Sequence, residues 1–276
     1  MSSNSLFKKS CENYILKNNL FKPTKNSIYT LAEILDVIEY ILVTGSSWRS
    51  LKLSVFGGKY KWESIYYHFN KFSVANVFQN IYFELLDDYF KTNMSSKLKY
   101  ISTDTSFVKN QYASDAKYNG YCKKKKLSKI SFIVDNFGVI LSVVISSGNV
   151  SDQTLLFENI SECLVDINYT SNNNKYTRYF LADSIYDTDD IHEKIKSLNI
   201  IPIIAYNKRN TKDESIIRAK QLSNHHKIIY KKRIIIENVF SWVYKNRRTS
   251  CRYDKKVINY MSFLYMALIK IILKRL

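Results

Sequence analysis

Three carboxylates stand where chemistry could be done. Asp104 closes the β-branched run Tyr100-Ile101-Ser102-Thr103-Asp104, Asp183 follows the apolar run Tyr179-Phe180-Leu181-Ala182, and Glu237 sits among Ile234, Ile235, Ile236, Val239 and Phe240. In an open α/β sheet, ligand sites gather at the carboxyl ends of the strands. Two aspartates brought to one sheet edge, with a third carboxylate from a packed helix, would form an oxygen cage for Mg²⁺. Two such ions about 3.5–4 Å apart can activate a water or a 3′-hydroxyl and stabilise the leaving oxygen of an in-line phosphoryl transfer. That chemistry uses hard acceptors, in keeping with a chain that has only four His and four Cys.

Each carboxylate alone also has an ordinary reading. An Asp after a strand often caps a helix, and Glu237, four residues after Arg233, could form a helix-surface ion pair. The flanking isoleucines argue that the Glu237 face is not freely solvated, and a buried carboxylate needs a partner or a metal. Asp135, Asp152 and Asp187 are weaker candidates, read as hairpin turn, helix cap and loop.

The elements that must position these groups fall into two textures. Residues 28–95 read as helical: Leu31, Ile34, Leu35, Val37, Ile38, Ile41 and Leu42 recur at helical spacing up to Gly45, and the pattern returns at Trp62–Phe72 and Val77–Leu86. A small bundle of this kind is compatible with helix-turn-helix DNA binding. From about residue 96 strands are predicted at 100–104, 130–134 and 139–145, the last two joined by the turn Asp135-Asn136-Phe137-Gly138. Ser151 and Asp152 can cap a helix carrying Leu155, Leu156, Ile160 and Leu164; residues 170–175 read as a polar loop. Further expectations are a strand at 179–182, a helix at 189–198, a strand at 200–205, a polar, mobile linker at 207–227, a helix at 228–245 and a last helix at 258–274. Three meander strands followed by strand–helix–strand units imply a mixed sheet flanked by helices.

Composition sets the class of partner. The 276 residues carry 42 Lys+Arg against 24 Asp+Glu, a formal charge of +18, which points to a polyanion. Hydrophobic residues make up 46%, enough for a real core, which excludes a disordered basic tail. Six Gly and two Pro disfavour collagen-like and many-turned all-β architectures. The scattered cysteines contain no CxxC pair, so a zinc ribbon or disulfide framework is not readable and a reducing compartment is expected. The first residues lack a secretory pattern, and the apolar stretch 261–269 is shorter than the ~20 residues needed to cross a bilayer.

Several ordered motifs carry a more specific signal. Thr103-Asp104-Thr105-Ser106-Phe107-Val108, Leu181-Ala182-Asp183-Ser184-Ile185-Tyr186-Asp187, and the stretch from Arg233 through Glu237 to Trp242 resemble the three catalytic blocks of DDE transposases from bacterial insertion sequences, with the insertion-sequence-five group the nearest in pattern. Gly45-Ser46-Ser47-Trp48-Arg49 with Trp62, Tyr66 and Phe69 looks like that group's N-terminal helical module. Lys126–Asp135, Gly148–Asp152, Asn246-Arg247-Arg248 and Arg252-Tyr253-Asp254-Lys255 resemble its later motifs. Tyr230, Arg233 and Glu237 match its extended glutamate motif, but Tyr244 stands where the group usually has a basic residue, with Lys245 one place on, and Ile185 replaces a usual Gly.

The resemblance implies a ribonuclease-H-like mixed five-stranded sheet flanked by helices (96–276), preceded by a small all-helical, DNA-binding module (1–95). It implies that Asp104, Asp183 and Glu237 hold two Mg²⁺ ions, with Mn²⁺ able to substitute. The substrates would be double-stranded DNA, as inverted terminal repeats and target, handled by a homodimer located inside the cell with DNA and not at a membrane. Basic clusters at Lys123–Lys126 with Lys129 and around the glutamate helix would neutralise phosphates; Arg233, Lys245, Arg247, Arg248, Lys126 and Lys129 are the expected contacts. Trp48 and Trp242 read as core residues, with contact to a displaced base the alternative for Trp242. Rival readings are a DNA-binding protein descended from a transposase that has lost turnover, and a metal-dependent nuclease that cuts without joining.

Overall fold

The computed structural model describes residues 3–23, 28–53, 56, 59–91, 94–119, 125–163, 177–209 and 211–276. The expected loop at 170–175, Leu164, and Lys123 and Lys124 of the first basic cluster lie outside the described residues. The elements in chain order are α1 (Ser3–Lys17), α2 (Leu31–Thr44), α3 (Trp62–Val74), α4 (Val77–Phe90), α5 (Met94–Lys97), β1 (Tyr100–Asn110), β2 (Tyr118–Asn119), β3 (Lys125–Val134), β4 (Ile140–Ser147), α6 (Asp152–Ser161), β5 (Tyr179–Ala182), α7 (Asp189–Ser197), β6 (Ile201–Ile204), α8 (Glu214–Ala219), α9 (Asn224–Tyr230), α10 (Ile234–Tyr244), α11 (Arg247–Ser250), β7 (Cys251–Arg252) and α12 (Val257–Ile272). They form two compact units, each discontinuous in sequence: Met1–Lys91 with Lys109–Asp115 and Ser241–Leu276, and Thr92–Val108 with Ala116–Phe240.

The first unit is helical. Thr30 opens α2 with a reciprocal capping box, its side chain accepting from Glu33 N while Glu33 accepts from the Thr30 backbone. Gly45 closes it at φ 70, donating to Ile41 O. A left-handed cap of this kind suits glycine because it lacks a Cβ. Helix α12 is buried on nearly every side, as expected of a helix apolar all round. Phe263 of α12 stacks on Phe69 of α3 with centroids 4.5 Å apart, and Trp48 packs against both. No helix among the described residues is long and apolar enough to cross a membrane.

The second unit holds the sheet. Its long strands run β4-β3-β1-β5-β6: β3 and β4 are antiparallel, whereas β1 with β5 and β5 with β6 are parallel. Two-residue β2 pairs with the start of β3. In the first unit, two-residue β7 pairs with the Lys109–Asn110 end of β1. This is a mixed sheet of five main strands, flanked by helices as the strand–helix pattern predicts. The Asp135 turn forms as read, with Asp135 Oδ1 accepting from Phe137 N and Val139 N. Ser151 caps α6, and Asn159 of α6 bonds Ser131 of β3 and Ser142 of β4, so the helix is fixed on the sheet by buried polar contacts.

Two expectations are corrected. Strand β1 runs to Asn110, so Asp104 is an interior residue of the strand and not its last. The supposed linker at 207–227 contains α8 and the start of α9. Helix α9 is held because Ile229 packs against Leu181 of β5 and Ile203 of β6, an anchor invisible in a locally polar stretch.

Candidate active site

Strands β1 and β5 set two of the carboxylates side by side. Ser102 lies opposite Leu181 in the parallel register, and Asp104 and Asp183 each follow two residues later. Equal offsets bring both to the same level on neighbouring chains, whose spacing in a sheet is about 4.8 Å. Asp183 turns the chain as it leaves β5: its Oδ1 accepts from Ser184 N at 2.6 Å and caps the short turn Ser184–Tyr186.

The third carboxylate arrives on α10, through Arg233 in the tight turn between α9 and α10. Arg233 NH1 donates to Asp104 Oδ2 at 2.9 Å and NH2 donates to Glu237 Oε1 at 2.8 Å. One planar guanidinium thereby ties the strand to the helix, a use of its fixed fork that lysine could not reproduce. Tyr230, one turn earlier, lies under the Arg233 guanidinium at 5.9 Å from ring centroid.

The electrostatics record the crowding. Burial raises the Asp104 pKa; the Thr105 N–H and Arg233 pull it down without cancelling that effect, and the Asp183 charge adds to the rise. Burial is the largest single influence on Arg233 and opposes its charge, but Asp104, Tyr230 and Glu237 together outweigh it and the pKa rises. Tyr230 and the fully buried Tyr186 are both raised, by burial first, with Asp104 and Asp183 contributing to each. Carboxylates, tyrosines and arginine therefore share one field.

A second layer was only partly legible. Thr105 donates its backbone N–H to Asp104 Oδ1 at 2.8 Å and its hydroxyl to Asp152 Oδ1 at 2.9 Å. Asp152, read from sequence as a helix cap, also accepts from Lys129 Nζ at 2.6 Å. Thr105 and Tyr186 were not singled out as site residues; their sequence signal is membership of the two aspartate motifs, Thr105 directly after Asp104 and Tyr186 three residues after Asp183. Asp187 accepts from Asn207 N and pairs with His192, so it fixes the loop after β6.

A family model of the transposase DDE domain matches residues 96–269. The chain belongs to the DDE transposase family. No curated protein sequence matches it. Among solved structures, the catalytic domain of Mos1 mariner transposase is 11% identical, covering 72% of this chain and 87% of that one at a TM-score of 0.28. The Mos1 paired-end complex with left transposon end is 10% identical (89% and 88% covered, TM-score 0.27), and the Mos1 strand transfer complex is also 10% identical (85% and 82%, TM-score 0.27).

For this transposase-family chain, the remaining question at the site is whether it suits a divalent cation. The donors are right in kind: three hard carboxylates, one of them disfavoured in its charged form by burial and by a neighbouring aspartate, which a cation would relieve. Among the described residues, however, no three His, Cys, Asp or Glu side chains already form a metal cage. Arg233 supplies the positive charge between Asp104 and Glu237.

The expected DNA contacts divide. Lys245, Arg247 and Lys126 are exposed. Arg233 is turned onto the carboxylates, with its side chain 17% exposed. Lys129 and Arg248, expected to be exposed to DNA, are both buried. Lys129 is held by Asp152 and Val150 O. Arg248 makes a two-pronged pair with Asp254, at 3.2 and 2.9 Å. Both charges are paired with internal carboxylates.

Proposed function

We propose that this chain is an active DNA transposase of the insertion-sequence-five type, which hydrolyses a phosphodiester at the ends of its element and joins the freed 3′-hydroxyl to target DNA. Asp104, Asp183 and Glu237 would hold two Mg²⁺ ions, with Mn²⁺ able to replace them. When bound, those ions supply charge stabilisation to the reacting phosphate and lower the pKa of a bound water or hydroxyl. The observation that carries the reading is the Arg233 fork, which ties the block around Asp104 to the block around Glu237, beside Asp183 in matching register.

The chain's own residues do the positioning. Thr105 and Arg233 fix the Asp104 carboxylate from two sides, while Lys129 and Asp152 hold the start of α6 beside it. Arg233 keeps the carboxylates compensated until DNA and cations enter. Lys245, Arg247 and Lys126 would meet the DNA backbone, giving an affinity that falls with salt. Residues 1–95 would form the DNA-binding module and 96–276 the catalytic part. Because two element ends must be processed together, the working form would be a homodimer, located with DNA inside the cell.

The test is incubation of purified protein with labelled element-end DNA and Mg²⁺. Wild type should cut, and Asp104→Asn, Asp183→Asn and Glu237→Gln should each fall by about a hundredfold or more, the scale expected when several kcal/mol of cation stabilisation is lost. DNA binding without cutting by wild type would favour the turnover-less relative, and cutting without joining would favour a nuclease.

A further inference from the structure

In the first unit a cavity of about 690 Å³ opens beside Trp48, α3 and the chain leading into α12. Its size lies in the range of small-molecule sites. Trp48 and Tyr66 meet edge-on at 5.2 Å, and Trp62 lies beyond Tyr66 at 6.5 Å. At the rim, Tyr253 is 39% exposed and Tyr112 is 60% exposed.

Two further observations point to a ligand. Trp48 Nε1, a donor, and Asn259 Oδ1, an acceptor, are both buried without a hydrogen-bond partner, although Asn259 is only 2% exposed and spends its amide N–H on the Tyr66 hydroxyl. Buried polar atoms of this kind are rare and call for an absent partner. The cavity is also cationic. Arg49, Lys255 and Lys256 line it, and its one acid, Asp254, is consumed by Arg248 in a pair with side chains 5% and 4% exposed.

We propose that this cavity binds one unpaired nucleotide, its base against the aromatic wall and its phosphate at Arg49, Lys255 and Lys256. A planar ring with donors and acceptors on its edge, joined to an anion, answers all three features at once: aromatic faces for stacking, an orphaned donor and acceptor, and uncompensated positive charge. A paired base cannot present its face, so duplex DNA does not satisfy the site. The pocket chemistry stands apart from the carboxylate cluster; the reading of the chain as a DNA enzyme bears only on whether the nucleotide belongs to DNA.

The experiment follows quenching of tryptophan fluorescence in the full chain, with a chelator present so that DNA cutting plays no part. The probes are a 5′-phosphorylated thymidylate octamer, thymidine monophosphate and a blunt duplex of the same length. Octamer affinity should fall by about tenfold in Tyr253→Ala, the loss expected for one stacking partner, and by about tenfold in Lys255→Gln/Lys256→Gln through lost phosphate contacts, whereas the duplex should not respond to Tyr253→Ala. Both changes are at exposed positions, and an unchanged unfolding midpoint confirms that the fold is intact. Equal response to the mononucleotide, with the same sensitivity to both variants, assigns a free nucleotide as the source; response to the octamer alone assigns DNA. Quenching that survives both variants, duplex binding that falls with Tyr253→Ala as the octamer's does, or no quenching by either single-stranded probe overturns the proposal.

Discussion

Arg233 donates to Asp104 at 2.9 Å across 129 positions of sequence. The same guanidinium reaches Glu237, so it occupies the place between carboxylates where a divalent cation would bring its charge. A charge-assisted hydrogen bond contributes about 1.5–3 kcal/mol, so the guanidinium is a real competitor for those oxygens.

Removing that competitor should therefore tighten cation binding in the absence of DNA. Arg233→Gln is expected to lower the dissociation constant for Mn²⁺ by about tenfold, read by titration calorimetry, each 1.4 kcal/mol being a factor of ten. An unchanged constant would mean that Arg233 and the cation do not share oxygens.

Arg248 and Arg247 are adjacent and should behave oppositely. Arg248→Ala strands the Asp254 carboxylate in a buried setting, and breaking such a pair costs about 3–5 kcal/mol. Arg247→Ala, at an exposed position, should change stability by less than about 0.5 kcal/mol. Its effect belongs to DNA, where losing one phosphate contact lowers the slope of log affinity against log salt by about 0.9. Urea unfolding and salt-dependent binding to element-end DNA separate the two; equal unfolding midpoints would contradict the buried pair.

Acid should loosen the start of α2. The Lys59 ammonium, then the Thr30 N–H and hydroxyl, lower the Glu33 pKa from 4.5 to about 2. Because the folded pKa is depressed, the contribution is complete above about 4.5 and disappears as pH falls toward 2. Thermal unfolding of wild type should lose stability across that window more steeply than Glu33→Gln does. Parallel curves would show that the capping box makes no pH-dependent contribution.

What the sequence revealed follows from locality. Periodicity and a glycine stop define α2 up to Gly45, a four-residue turn with an aspartate at its head defines the hairpin at Asp135, and apolar runs ending in Asp and Glu mark the site. Long-range compensation is what it hid. Lys129 and Arg248 look like surface charge until their partners, Asp152 and Asp254, are placed beside them. Helix α12 reads as a core helix, but nothing local says that it packs in the first unit against α3 and α4. Thr105 is one more strand residue until its hydroxyl reaches Asp152 from 47 positions away.

The most direct measurement replaces each of the two site aspartates in turn with a sulfur donor. Thiolate is a poor ligand for Mg²⁺ but an acceptable one for softer Mn²⁺. Cutting of labelled element-end DNA by Asp104→Cys and Asp183→Cys should vanish in Mg²⁺ and return in part in Mn²⁺. Full cutting by either variant in Mg²⁺ would show that these two aspartates do not hold the ions together.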